Sequence, residues 1–400
     1  MSKNKDEIMK LHRACYDFFM DYVSKDDHSF GLFIDNTAKL NVATIAGTGF
    51  YLSALVIGVT SGYLDKTLAC QHAKKTFNTL LTLDNYHGFF CHYYDIDTRT
   101  RHKKSEYSTI DTWLCLAGVI CAKEFFGDEE LSEMSNFLID RVDYKDFVIN
   151  YNGKPCLAMS YNEIENGDYT KGNPGYIYHW HMLAEQIMGY LFISGKLDEE
   201  TSNALYEGFE RKKGSYGGIS YCHSPENSLF VYMYSNLYIG QEKLRDKHGF
   251  SWYQNTKSAV LANLKYCSDM GYDKETFGIS ACEGKYGYRV YGCPPREGKD
   301  NSDGTILLGA FAGGLPYLKD DMVEAFIDFS KRENVSSKYG LYTSYNYQTK
   351  YVSKTLYAID KGLEFLSYDM YLYETIVRVF LNSPYIKKGM KVLGWHYVND

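Results

Sequence analysis

The sequence predicts an all-α fold: a two-layer toroid of six inner and six outer helices, with short β-hairpins in the loops at one face. Three observations carry this. Apolar residues recur at spacings of three and four along most of the 400 residues, the period of helices that bury one side. The helical segments are of two kinds that alternate, one apolar on every side and one charged on a single face. Long connections with strand-like alternation, rich in Tyr, Asp and Glu, separate the pairs. An inner layer must be covered all round while an outer layer is wet on one side, so this alternation is what a helical toroid requires. No fixed-period self-similarity of the kind that marks an α-solenoid is present.

In chain order the elements fall as follows. Residues 5–24 carry charge and apolar residues at helical spacing, giving the first outer helix. Residues 41–60 give the first inner one. No charge lies between Lys39 and Asp65, so "VATIAGTGFYLSALVIGV" (42–59) is long enough to span a bilayer. Thr44, Thr48, Ser53 and its glycines, with no basic anchors at either flank, favour a buried inner helix instead. Outer helices follow near 65–83, 128–142, 198–213, 253–270 and 319–333, the first of them reading "DKTLACQHAKKTFNTLL". Inner helices follow near 107–126, 180–195, 226–240, 303–315 and 362–382. The strand-like connections are 87–101, 146–162, 277–295 and 339–353. Loops of this length in a compact domain are usually functional. With only 7 Pro and no low-complexity linker, the chain reads as one domain over 1–400.

Composition narrows the function. A net charge of −7 and no basic run longer than "RHKK" (101–104) argue against nucleic acid, whose phosphates need a positive field. The 39 Tyr, 22 Phe and 4 Trp supply rings for a core and stacking surfaces for a ligand cleft. The N-terminus lacks the apolar run and small-residue cleavage site of a secretory signal. Ten scattered cysteines without a CxxC pair read as reduced thiols, so a cytoplasmic location is expected. No phosphate-binding glycine loop, GxSxG elbow or HExxH occurs. His87 with His92, and His179 with His181, lack a third ligand at diagnostic spacing, so no metal and no cofactor are expected.

Carboxylates on the inner helices remain. Glu185, in "YIYHWHMLAEQIMGYLF" (176–192), reads as mid-helix, where capping cannot explain it; Gly189 leaves room beside it, and Trp180 and His181 stand on the preceding turn. In a partly dry cleft its pKa would rise, as a general acid needs, whereas a core glutamate would be satisfied by a Tyr or His. Asp111, in "SEYSTIDTWLCLAG", is either a charge favouring a helix N-terminus capped by Ser108 or Thr109, or a site carboxylate. Asp303 fits ordinary turn chemistry as well as a site. Asp360 heads a long apolar run where an unpaired charge is costly. Glu283, flanked by tyrosines, is a cleft residue or a solvated loop charge. An aromatic, acidic cleft suits sugars, which stack on rings and whose glycosidic bonds are cleaved by two carboxyl groups. Tyr178, Trp180, His181, Glu283, Tyr288 and Asp303 are the expected substrate contacts.

Six segments in order, "NVATIAGTGFYLSALVIGVTSGYLDK", "GFFCHYYD", "SEYSTIDTWLCLAGVICAKEFF", "GISACEGKYGYRVYG", "DGTILLGAFAGGLPYLKDD" and "LYAIDKG", resemble the bacterial glucoamylase-like domain family over residues 30–382. That family includes β-1,2-glucanases and the transglycosylating domain of cyclic β-1,2-glucan synthases. The resemblance implies an (α/α)6 barrel and metal-free, typically inverting hydrolysis of β-1,2-linked glucans. It implies Glu185 as general acid and Asp360 as base or water-positioning residue, with Asp111 and Glu283 shaping subsites or relaying protons. Two departures stand out. Leu183-Ala184 replaces the Tyr-Asn that usually precedes the catalytic glutamate, and Glu283 replaces an Asp. The alternatives are a transglycosylase or phosphorylase on the same glycans, an inactive glycan-binding protein, or a sugar epimerase or uronyl hydrolase on the same toroid.

Overall fold

The computed structural model describes residues 2–163, 174–273, 275–319 and 322–398. Helices α1 (Ser2–Tyr22), α3 (Lys66–Thr82), α5 (Glu129–Asp140), α7 (Glu199–Gly208), α9 (Trp252–Asp269) and α12 (Val323–Ser330) form the outer layer. Helices α2 (Ile45–Thr60), α4 (Thr109–Phe126), α6 (Ile187–Lys196), α8 (Phe230–Ile239), the pair α10 (Leu308–Ala312) and α11 (Leu315–Leu318), and α13 (Ala358–Leu372) form the inner one. This is the (α/α)6 toroid, with short antiparallel hairpins at one end. Side-chain caps start many of its helices: Asp65, Ser108, Asp128, Asp198 and Ser251 each accept a backbone N–H from the first turn that would otherwise be unpaired.

The apolar segment over 42–59 is an inner helix. In α2 every residue from Ile45 to Gly58 is buried, and no helix among the described residues is long and apolar enough to cross a membrane. α2 and α4 approach closely through glycine: a Cβ on Gly118 would stand 2.1 Å from the Gly49 carbonyl oxygen. A Gly118→Ala change gains about 1 kcal/mol of helix propensity, but it forces one backbone away from another, and overpacking costs about 1–3 kcal/mol or more. The melting temperature is therefore expected to fall. A variant melting at or above the parent would refute this account of the α2–α4 contact.

The final apolar run does not fold as one helix. It splits into α13 and α14 (Thr375–Asn382), and α15 (Pro384–Val392) follows. Glu374 takes a left-handed conformation (φ 52°), and the Asp369 carboxylate accepts the Ile376 N–H, starting α14 in a new direction. α14 packs against α2, α4 and α8, with Phe380 against Phe192 and Tyr238, so it closes the end where the inner helices finish. Near that end Lys5, Gln241, Tyr253, Met370 and Glu374 line part of a cavity of about 780 Å³. The inner helices all begin at the opposite end, which is where the hairpins lie.

Candidate active site

The N-terminal ends of the inner helices bring together the carboxylates that the sequence scatters. Asp111 is in the first turn of α4 and Asp360 is the third residue of α13. Glu185 differs from its expected place. It is not mid-helix but in the turn just before α6, because the chain from Met182 to Gln186 is tied down as a turn. The Gln186 side chain bonds the Ala184 N–H and the Met182 carbonyl, and Ser235 on α8 donates to the Glu185 carbonyl at 2.5 Å. The space at Gly189 is also used differently. It admits the Trp113 indole, 2.4 Å from where a Cβ would be, and so locks α6 against α4 beneath the site rather than making room for the carboxylate.

The buried Tyr234 ring of α8 is the common neighbour. Asp360, Tyr288, Glu185 and Asp111 all act on its hydroxyl, which burial holds well above the usual phenol range. Burial pushes the Glu185 carboxyl up to about 7; its own backbone N–H opposes this and the Asp111 charge adds to it. Burial pushes Asp360 up to about 8, the Thr343 hydroxyl and Lys361 pulling it down while Asp35 and Glu364 pull it up. Asp111 is raised by burial and restrained by His92 and by Ser108, whose hydroxyl donates to Asp111 Oδ2 at 2.6 Å. Ser108 therefore both caps α4 and orients Asp111.

Glu283 lies in the hairpin Cys282–Gly284/Gly287–Arg289, its Oε2 accepting the Ser353 hydroxyl at 2.5 Å. Tyr288, on the same hairpin, leaves much of its ring exposed while its hydroxyl end is enclosed: burial first, then the charges of Asp360, Cys282 and Glu185, raise its phenol. Asp303 is spent on local structure, accepting the Tyr291 hydroxyl at 3.0 Å and the Thr305 N–H at 3.1 Å, as turn chemistry predicts. Trp180 cannot serve as a stacking platform. It is 4% exposed and its indole N–H donates to Thr109, making it a strut between α4 and the approach to α6. His181 packs on Tyr151 and His179, and Tyr178 is exposed on the strand Tyr176–His179 at φ 51°. The departure at Leu183-Ala184 places a buried leucine beneath the turn that carries Glu185.

Sequence reasoning missed Asp35, Tyr93, Tyr234 and Tyr357, and read His92 only as a weak metal candidate. Asn36 pairs with Tyr357 and the strand Lys39–Thr44 pairs with Tyr93–Asp95, so one β-ribbon stitches Asp35 between His92 and the start of α13. Nothing local in "FIDNTAKL" announces this, because the pairing joins residues more than three hundred positions apart. Among the described residues no three His, Cys, Asp or Glu side chains are grouped so as to hold a metal ion.

The structure is thus an (α/α)6 toroid with buried carboxylates and tyrosines at the N-terminal ends of its inner helices. The chain belongs to the glycoamylase family, whose model, described as "Putative glucoamylase", matches residues 177–384. It is 21% identical, over 90% of its length, to an exo β-1,2-glucooligosaccharide sophorohydrolase (non-reducing end) of Parabacteroides distasonis, and spans about half (54%) of that relative's length. Its fold matches an endo-β-1,2-glucanase from Chitinophaga pinensis, solved with sophorotriose and glucose, at TM-score 0.83 and 18% identity over 98% of both chains. A β-1,2-glucanase from P. distasonis matches at TM-score 0.82 and 17% identity, over 98% of this chain and 60% of that one.

Proposed function

We propose that the protein is a glycoside hydrolase of β-1,2-linked gluco-oligosaccharides, acting by general acid/base catalysis with inversion. The observation that carries the reading is that Asp111, Glu185 and Asp360 stand at the N-terminal ends of the inner helices α4, α6 and α13, with the charges of all three acting on the Tyr234 hydroxyl. Glycosidic cleavage by inversion needs one carboxyl that keeps its proton for the leaving oxygen and a second that takes one from water. Burial gives the first property to Glu185. Asp360 is offered as the second from its place at the start of α13. Burial raises it to about 8, above Glu185, and Lys361 and the Thr343 hydroxyl offset only part of that, so the base is charged in the minor protonation form. Tyr288 on its exposed hairpin supplies a ring face for a glucose unit. The activities of the relatives point to the β-1,2 linkage. Ten free thiols, nine of them buried, accord with a reducing, cytoplasmic setting in which short oligosaccharides are the available substrate.

The test is a panel of β-1,2-, β-1,3- and β-1,4-gluco-oligosaccharides, with products followed by NMR during the first turnovers. The expected result is cleavage of the β-1,2 series with an α-anomeric product appearing first. A β product that stays β would replace inversion by retention. Products lengthened by excess acceptor would assign a transglycosylase, and no turnover of any member would overturn the reading.

A further inference from the structure

Beside Glu185, the site holds an array that the proposed reaction does not itself require. His92 lies between two carboxylates: Nδ1 is 2.9 Å from Glu106 Oε1 and Nε2 is 3.7 Å from Asp111 Oδ1. The ring is stacked on Tyr93 at 3.7 Å between centroids and 19° between planes, which fixes its plane. Both carboxylates are held in turn. Glu106 immediately precedes the short strand Tyr107–Ser108, and the His92 N–H bonds the Glu106 carbonyl; Asp111 is tied to Ser108. The backbone and the side chains thus repeat the same pairing, so the array is built and not a chance approach of flexible groups.

We propose that His92 is a positioning residue, clamped between Glu106 and Asp111 so that Asp111 stays an ionised carboxylate whose charge favours a proton on Glu185. This rests on the reading of Glu185 as the acid. A carboxylate as buried as Asp111 gives up its charge unless a cation stands against it. The groups facing His92 are Glu106 and Asp111 at its two nitrogens and the stacked Tyr93, with the Asp35 charge also acting on the ring. Burial opposes charge on the imidazole, but Asp111 and Glu106 outweigh it and leave the ring raised to about 9. Asp111 in turn raises Glu185. The order of influence is therefore Glu106, His92, Asp111, Glu185.

The test uses the full chain, with glutamate carboxyl carbons and histidine ring nitrogens isotopically labelled, and follows titration by NMR. In the parent, both His92 nitrogens stay protonated well above the ordinary imidazole range. In His92→Gln, Asp111 takes up a proton and the Glu185 midpoint falls by roughly half a unit to one unit. Asp111→Asn gives the same fall, and His92→Gln adds nothing in the Asp111→Asn background. An unmoved Glu185 midpoint in His92→Gln or in Asp111→Asn, or a His92 that titrates near its ordinary value of 6.5, overturns the proposal. If His92→Gln fails to fold, Asp111→Asn and the parent His92 titration decide it. None of these readouts needs turnover, so a failed glycan panel would strike the proposed function and leave the coupling to stand or fall by itself.

Discussion

Glu185→Gln is expected to lower kcat on β-1,2-gluco-oligosaccharides by roughly 10²–10⁴-fold, the usual contribution of a positioned general acid, while substrate binding changes only a few-fold. Gln keeps the shape and one hydrogen-bond acceptor but has no proton of suitable acidity to give the leaving oxygen. The turn that presents it, held by Gln186 and Ser235 through backbone atoms, is left intact. The pH profile of the parent makes the assignment sharper. With Glu185 pushed up to about 7 and Asp360 up to about 8, the profile of kcat/KM is a narrow bell between these values. Its limbs belong to the pair, which carries one proton in the active form. Asp360 has the higher of the two values even with Lys361 and Thr343 pulling it down, so the shared proton rests mostly on Asp360, and the reactive form with the proton on Glu185 is the minor one. In the variant the bell collapses to a single limb. Kinetics and isothermal titration of an oligosaccharide check both points, and a fully active Glu185→Gln enzyme would sink the assignment.

The same shifts fix a sign for stability. Each carboxyl is raised above its ordinary value (4.5 for Glu185, 3.8 for Asp360), so the folded chain holds protons that the unfolded chain has released. Their contribution is complete below the ordinary values and is lost as pH rises toward about 7 and 8. At pH 8 the Gln variant therefore melts above the parent, as expected where a site is kept at the expense of the fold.

Lys361→Met is expected to destabilise the fold by about 3–5 kcal/mol, because it leaves a buried charge without its partner. Lys361 Nζ lies 2.5 Å from Glu364 Oε2, with both side chains only 2% exposed. The remaining partners are inside the same knot. Lys361 also donates to the Leu341 carbonyl at 3.3 Å, while Glu364 Oε1 accepts the Leu341 N–H at 3.1 Å and the Tyr368 hydroxyl at 3.0 Å. The pair thus staples the start of α13, one residue after Asp360, to the strand Gly340–Leu341, two residues before Thr343. Adding Glu364→Gln should recover most of the loss, since the amide oxygen still accepts both hydrogen bonds without a buried charge. Thermal melting of the single and double variants measures this. A Lys361→Met protein as stable as the parent would show that the pair is not coupled.

Particular elements show how far the chain could be read in advance. The apolar periodicity of residues 41–60 and 107–126 was enough to place α2 and α4 inside, because a helix apolar all round has nowhere else to go. The cap at Ser108 was equally local. The run 362–382 misled, since its apolar content is continuous across the break. What turns the chain there is the left-handed Glu374 and the Asp369 carboxylate reaching forward to Ile376, a geometry that periodicity does not encode. Glu185 was singled out for a sound reason, the cost of a carboxylate among apolar residues, but its place in a turn depends on Ser235, fifty residues away.

The order and kind of the helices, and through them the toroid and the carboxylates worth watching, were determined by the sequence alone. These follow from local spacing and from the cost of burying charge. Only the tertiary structure decided which carboxylates meet. It gathered Asp35, His92, Asp111, Glu185 and Asp360 at one end, enclosed Trp180 and spent Asp303 on a turn. Hydrogen bonds and electrostatic fields act across a few ångströms of space whatever the separation along the chain, and that proximity exists only once the ring of helices has closed.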